Sequence, residues 1–195
     1  MSPWYQNYWR LITHPYVFFE EAINHGKHLP ATLVVFFTIF LTGFGWLLIS
    51  PAQINLFNAA ASLIIPICSY PAAVFLIFLV CRFLISETKL QSFFAVWGFS
   101  YVPTFIFFLI NISVHGFQNF HWFQSLFGHS WLIMVFWAFI FLMFLWKVLF
   151  LAITLRLAGN LNLIQISIAL PLLIFIAGIY WWILLTLGWI KVPLI

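Results

Sequence analysis

Five stretches of this chain are long and apolar enough to cross a lipid bilayer, and no other feature constrains the fold as strongly. They cover residues 31–49, 59–84, 93–114, 131–156 and 164–189. Each exceeds the roughly 18 residues that identify a transmembrane helix. Only 5% of all residues are charged, whereas soluble domains carry about 25%. The sequence therefore predicts an integral membrane protein.

The five stretches are predicted to be α-helices, because hydrocarbon offers no partner for free backbone N–H and C=O groups. A transmembrane barrel would alternate polar and apolar residues, whereas the run LVVFFTIFL within the first stretch does not alternate. The expected fold class is all-α. Residues 29–195 form a membrane bundle of five transmembrane helices, and residues 1–28 form an amphipathic interfacial segment on the cytoplasmic side.

Aromatic residues dominate the segment of residues 1–28, and several of them precede its first charge at Arg10. Trp and Tyr favour the headgroup layer of a membrane. We interpret the segment as one or two short helices that lie on the membrane surface and are broken near Pro15. A docking helix for a partner protein is the alternative interpretation.

Basic residues occur in every other connection between the predicted spans. Lys89 lies in the second connection with Arg82 just before it, and Arg156 lies at the fourth, whereas residues 50–58 and 115–130 contain no Lys or Arg. Arg10 and Lys27 add to the basic residues on the N-terminal side. Cytoplasmic loops are enriched in Lys and Arg. We therefore expect the N-terminus in the cytoplasm and the C-terminus outside, where Lys191 is the one basic residue.

Lys147 is the one charge placed well within a predicted span, and the chain has no acid in any span that could pair with it. An intramembrane charge is a functional candidate by default. One interpretation is a binding or coupling site for an anionic headgroup. The other is a side chain that extends its ammonium group toward the cytoplasmic interface.

Polar residues also follow one side of the third span. Ser100, Thr104 and Asn111 project in similar directions on a helix that turns about 100° per residue. Hydrogen bonds between helices explain such a stripe. A polar path through the membrane is the alternative, with Lys147 as a further member.

The sequence predicts no catalytic residues, no cofactor and no metal site. The three acids are Glu20, Glu21 and Glu87, so the spans contain no paired carboxylates for general acid–base chemistry. His115, His121 and His129 are spread over a loop without Cys or acid, which is a weak zinc spacing. The absence of a Lys/Arg run argues against nucleic-acid binding.

One part of the chain resembles a known family. The sequence between spans two and three reads CRFLISETKLQSFFAVWGFSYVPTF, a short charged turn followed by a phenylalanine-rich helix start with Gly98, Tyr101 and Pro103. The exit of span four reads WKVLFLAITLRLAGNLN, and a His14–Pro15 step ends the aromatic lead. These stretches are similar to the Yip-domain family of Ypt/Rab-interacting membrane proteins, especially its short bacterial members.

The resemblance implies an all-helical five-span bundle in a bacterial inner membrane. Eukaryotic members are linked to vesicle trafficking through a soluble N-terminal region that this chain nearly lacks, which puts Rab binding in doubt. Some short bacterial members are associated with export systems. The residues that match the family-like stretch are Arg82, Glu87, Lys89, Tyr101 and Pro103, and they form the candidate surface for a partner or ligand.

Two hypotheses follow. The first is a non-enzymatic multipass membrane protein that organises membrane lipids or binds another membrane protein or an export complex. It would act through the cytoplasmic face around Arg82–Lys89 and through the N-terminal surface helix. The second is a small homo-oligomeric transporter or channel whose pore is lined by Ser100, Thr104, Asn111 and Lys147.

The predicted topology can be tested with single cysteines in a chain whose Cys68 and Cys81 are replaced by Ala. Because the connections alternate between the two sides, Ser86→Cys is expected to react with a membrane-impermeant maleimide only from the cytoplasmic side. Gln53→Cys is expected to react only from the outside. Labelling of intact spheroplasts and inverted vesicles measures both, and reaction of both cysteines from one side would contradict the alternation.

Overall fold

The computed structural model describes residues 10–24, 28–49, 56–84, 88–117 and 130–186, and every regular element in these ranges is helical. The helices with ten or more residues are α1 (Pro15–Asn24), α2 (His28–Ile49), α3 (Leu56–Leu84), α4 (Leu90–Phe99), α5 (Tyr101–Phe117), α6 (Ser130–Leu157) and α7 (Leu163–Thr186). The all-α prediction is confirmed for the described residues.

Four helical segments in the described ranges are long and apolar enough to cross a membrane. They are Ile67–Leu84 in α3, Leu90–Ile110 across α4 and α5, Met134–Leu157 in α6 and Leu163–Leu184 in α7. They correspond to the predicted spans two to five. Four such helices agree with a multipass membrane protein.

The predicted first span falls within α2. The described apolar part of this helix, Pro30–Leu41, is shorter than a membrane crossing. The helix itself continues to Ile49 and has 22 residues, and at 1.5 Å per residue such a helix is about 33 Å long. The number of five spans stays a prediction.

The third span is divided at Ser100, between α4 and α5. Pro103 has no N–H to donate to the carbonyl of Phe99, and its ring would clash with that carbonyl in a continuous helix. Pro103 instead lies in the first turn of α5, where a missing N–H is tolerated. The Ser100 backbone N–H and Oγ donate to the carbonyl oxygen of Trp97 at 3.0 and 2.7 Å. Pro103 therefore accounts for the position of the break.

Helix α1 is attached to the bundle by aromatic side chains. Its buried residues are Phe18, Phe19 and Ala22. The Phe18 ring meets Phe99 of α4 edge-to-face at 4.8 Å between centroids, and the Phe19 ring meets Phe150 of α6 at 5.0 Å. Edge-to-face pairs at such distances are favourable beyond their area of burial. Helix α1 is thus part of the hydrophobic core.

The opposite side of α1 is exposed and mixed in character. Tyr16 and Val17 are about half exposed, and Glu20 is exposed beside them. Glu21 pairs with Arg10 at 3.4 Å. Apolar and charged residues side by side are typical of a membrane interface. The predicted interfacial position of this segment is not tested by these contacts and stays a prediction.

The divided third span is the centre of the bundle. Of Leu90–Ile110, 56% of residues are buried, against 11% of Leu163–Leu184. Helix α2 packs against both α4 and α5. A Cβ atom added to Gly98 would lie only 2.8 Å from the Cβ of Ala31, so glycine is required for this approach of α4 to α2. The two small residues allow the backbones to come close, as is common between membrane helices.

The outer surface of the bundle is apolar. Large exposed side chains on α6 and α7 include Trp137, Phe141, Phe175 and Trp182, each more than 60% exposed. Soluble monomers rarely expose many large apolar side chains side by side. Contact with lipid tails accounts for them without any further partner.

Gly98→Ala is expected to destabilise the protein by about 1–3 kcal/mol, the usual cost of overpacking a tight contact, because the new methyl group would clash with Ala31. The midpoint of thermal unfolding in detergent measures the effect. Gly178→Ala is the matched control in α7, because no atom lies within 4 Å of its added Cβ. Equal midpoints for the two variants would contradict the close α2–α4 approach.

Candidate functional site

Basic residues from three parts of the chain lie at one end of the bundle. Arg82 is near the end of α3, Lys89 directly precedes α4, and Arg156 is in the last turn of α6. The turn after α6 touches α3 beside Arg82, because a Cβ on Gly159 would be 2.6 Å from the Sγ of Cys81. We call Arg82, Lys89 and Arg156 the basic end.

The turn between α6 and α7 is held by its own hydrogen bonds. Arg156 Nη1 donates to the carbonyl oxygen of Leu161 at 2.8 Å. Asn162 and Gln165 form a reciprocal capping box at the start of α7, with both N–H···O distances at 2.9 Å. Asn160 has a left-handed φ of 51°, which Asn adopts more readily than most residues. These bonds place Arg156 firmly at the basic end.

The side chains of Arg82 and Lys89 are exposed at this end. The Arg82 guanidinium carbon lies 6.0 Å from the centroid of the Phe78 ring, near the outer limit for a cation–π contact. Phe83, the next residue, is 92% exposed. A basic side chain beside an exposed aromatic is the combination expected where a helix leaves the hydrocarbon for the headgroup layer.

The candidate surface residues from the family-like stretch do not all lie at the same place in the structure. Arg82 and Lys89 are exposed, whereas Pro103 is fully buried and Tyr101 is partly buried among the helices. Glu87 lies outside the described residues. The surface available at the basic end is therefore provided by the basic side chains, and Tyr101 belongs to a different site.

That second site lies in the middle of the bundle and joins three helices. We call Tyr70 of α3, Tyr101 of α5 and Lys147 of α6 the lysine–tyrosine cluster. The rings of Tyr70 and Tyr101 meet edge-to-face at 5.4 Å between centroids. The Tyr70 hydroxyl donates to the carbonyl oxygen of Phe94 at 2.9 Å. The Lys147 Nζ lies 5.1 Å from the centroid of the Tyr101 ring.

The Tyr101 ring offsets only part of the cost of placing Lys147 in the membrane. A desolvated cation–π contact contributes about 2 kcal/mol. A charged side chain at the centre of a transmembrane helix costs about 2.5–3.5 kcal/mol on insertion scales. The difference leaves the ammonium group incompletely compensated by this contact, which makes the cluster the strongest candidate for a ligand site inside the bundle.

A pair of hydroxyl groups lies next to the cluster. Ser69 and Tyr180 join α3 to α7 with their oxygens 2.7 Å apart. Ser69 also donates to the carbonyl oxygen of Ile65 at 2.6 Å. Since a serine has one O–H group, Tyr180 is the donor to Ser69. Ser69 directly precedes Tyr70 in α3, so α7 contributes a polar group close to the three helices of the cluster.

The described polar side chains of the predicted stripe in span three already take part in other interactions. Ser100 is fully buried and its hydroxyl is used by the Trp97 carbonyl. Thr104 is 4% exposed and also takes part in an interaction. The side chain of Asn111 lies outside the described part of the chain. The predicted path through Ser100, Thr104 and Asn111 stays a prediction.

Lys147 and Tyr101 are each distinctive in the sequence, but no sequence pattern connects them. Nor does any pattern identify Tyr70, Ser69 and Tyr180 as their neighbours. Tyrosines in the middle of apolar spans, away from the interface that they usually favour, were the available signal.

Comparison of the chain with family models, curated proteins and solved structures finds no match. The basic end and the lysine–tyrosine cluster are therefore the basis for inferring a function.

Tyr70→Phe is expected to lower the free energy of unfolding by about 0.5–1.5 kcal/mol, the net contribution of one hydrogen bond. The substitution keeps the ring contacts with Phe94 and Tyr101 and removes only the bond to the Phe94 carbonyl. Thermal unfolding in detergent measures it. Tyr16→Phe, at a half-exposed tyrosine of α1, is the control, and an equal effect in both variants would contradict a role for the buried hydroxyl.

Proposed function

We propose that this chain is a five-span protein of the bacterial inner membrane, of the Yip-domain type, that acts without catalysis by binding the headgroups of anionic lipids at its basic end. Its N-terminus lies in the cytoplasm and its C-terminus outside. The single observation that carries the proposal is the position of Arg82, Lys89 and Arg156 together at one end of the bundle. The close approach of Gly159 to Cys81 supports this position, because it brings the turn after α6 next to the end of α3.

Electrostatics favour an anionic surface as the ligand of the basic end. Juxtamembrane Lys and Arg side chains each contribute about 1 kcal/mol of attraction to an anionic leaflet. Arg82 and Lys89 are exposed and free to reach headgroups, while the acid Glu21 is already engaged by Arg10. The positive-inside rule assigns this end to the cytoplasm.

Apolar residues beside the basic end support a lipid ligand over a water-soluble one. Phe83, Leu163 and Ile164 are 92%, 78% and 73% exposed, and they lie at the end of α3 and the start of α7. In a bilayer these side chains contact acyl chains just below the headgroups that the basic residues bind. The resemblance to the Yip-domain family adds a protein partner or export complex as the other candidate ligand of this end.

The double variant Arg82→Gln, Lys89→Gln is expected to reduce the preference of the protein for phosphatidylglycerol over phosphatidylethanolamine. Two lost attractions of about 1 kcal/mol each correspond to roughly a 30-fold weaker preference at most. The lipid composition retained by the purified protein, measured by mass spectrometry after extraction from mixed-lipid vesicles, tests it.

Lys191→Gln is the control, because it removes one positive charge from the end that the topology places outside. An unchanged lipid preference in the double variant would overturn the proposal. Crosslinking in native membranes tests for a protein ligand. If it identifies a stoichiometric partner protein that the double variant no longer binds, the ligand of the basic end is that protein and not a lipid.

A further inference from the structure

The ammonium group of Lys147 lies far from both ends of its helix. Lys147 precedes Leu157, the end of the span, by ten residues, which corresponds to about 15 Å of helix. Tyr101, which its ammonium faces, follows Leu90 by eleven residues and lies at a similar distance of about 16 Å along α4 and α5. The charge is therefore near the middle of the apolar layer.

The direction of the Lys147 side chain does not bring its charge to the cytoplasmic interface. In an α-helix the Cα–Cβ bond is inclined toward the helix N-terminus, which for α6 is away from Leu157 and the basic end. The ammonium lies over the Tyr101 ring instead. The alternative of a side chain that extends to the headgroups is not the conformation that the structure describes.

The chain offers no carboxylate to pair with Lys147 inside the bundle. Its three acids, Glu20, Glu21 and Glu87, all lie outside the four spans. Within the described residues, no salt bridge or hydrogen bond joins Lys147 to another group. A buried charge requires a partner, because hydrocarbon does not replace the lost hydration.

Two donors at the cluster are available to an acceptor from outside the chain. The Lys147 ammonium has three N–H groups, and the Tyr101 ring that covers one side cannot accept them as an oxyanion would. The Tyr101 hydroxyl has no hydrogen bond among the described residues, whereas the Tyr70 hydroxyl is used by Phe94. Lys147 and Tyr101 come from different helices, so together they could hold one acid group.

The cluster is also close to the lipid-facing surface. Tyr180, whose hydroxyl lies 2.7 Å from that of Ser69 next to Tyr70, is 46% exposed. An anion that reaches this depth from the bilayer needs an apolar tail, because a free ion would have to leave its hydration shell in hydrocarbon. An amphiphile with an acid group fulfils both conditions.

We propose that Lys147 and Tyr101 form an intramembrane binding site for the acid group of an anionic amphiphile, either the carboxylate of a fatty acid or the phosphate of a phospholipid. The ammonium forms a charge-assisted hydrogen bond to the oxyanion, the Tyr101 hydroxyl donates a second bond, and the tail lies in the surrounding lipid. This site is distinct from the basic end and its occupancy does not require headgroup binding there.

Titration of the purified full chain with oleate, phosphatidylglycerol, oleyl alcohol and phosphatidylcholine, followed by native mass spectrometry, tests the site. At least one acidic amphiphile is expected to bind about tenfold more tightly than its neutral counterpart, the usual effect of a hydrogen bond to a charged group. Preference for oleate identifies a fatty acid, and a preference for phosphatidylglycerol that persists in the double variant Arg82→Gln, Lys89→Gln identifies a phospholipid.

Variants separate this site from the basic end. In the Arg82→Gln, Lys89→Gln background, Lys147→Met is expected to lose the preference for the acid, and Lys147→Arg is expected to keep most of it. The double variant Arg82→Gln, Lys89→Gln is expected to keep the acid at Lys147 even though its headgroup preference falls. Equal binding of acid and alcohol by the natural chain, or unchanged acid binding by Lys147→Met, would overturn the proposal.

Chemical protection tests the same site without any substitution. Phenyl isothiocyanate modifies lysine amines and enters membranes, and peptide mass spectrometry reports the extent of reaction at each lysine. Saturating acidic amphiphile is expected to protect Lys147 and to leave Lys191, which belongs to neither proposed site, reactive. Modification of Lys147 at the same rate with and without the amphiphile would overturn the proposal even if Lys147→Met failed to fold.

Discussion

The backbone hydrogen bonds of the long apolar helices are the constraint on which the rest of this structure depends. In hydrocarbon every N–H and C=O must find its partner within the protein, and a helix provides that partner locally. Where a helix ends inside the bundle, another group has to form hydrogen bonds with the backbone N–H and C=O groups left free there. Pro103 cannot donate to the Phe99 carbonyl and so creates such an end. The Ser100 hydroxyl and N–H bind the Trp97 carbonyl beside it, so the Trp97 carbonyl keeps a partner at the break.

The division of the central span also organises the packing around it. Helix α4 ends at Phe99, whose ring contacts Phe18, and Gly98 beside it allows α2 to approach. A small residue and an aromatic at adjacent positions thus bring α1 and α2 against the same short helix. Helix α1 then reaches α6 through Phe19 and Phe150. Close packing, rather than hydrophobic transfer, has to hold such contacts together within lipid.

The two candidate sites differ in how far they could be predicted. Arg82, Lys89 and Arg156 were identified from charge alternation along the chain, because alternate connections of a helical bundle meet at the same end. The partners of Lys147 were not predictable in this way. Tyr70, Tyr101 and Tyr180 come from three different helices, and their meeting depends on helix rotation and depth, which apolar sequences of nearly uniform hydropathy do not encode. Glu87 and Asn111 remain sequence predictions.

The sequence by itself determined the helical class, the approximate limits of the four long apolar helices and the distribution of charge between their ends. These follow from hydropathy and from local backbone chemistry, which need no knowledge of neighbours. Only the tertiary structure decided that the central span breaks at Ser100, that α1 is part of the core, and that Lys147 faces Tyr101. These depend on contacts between distant residues, and side-chain shape at a few positions such as Gly98 and Phe99 selects among many packings of equal apolarity.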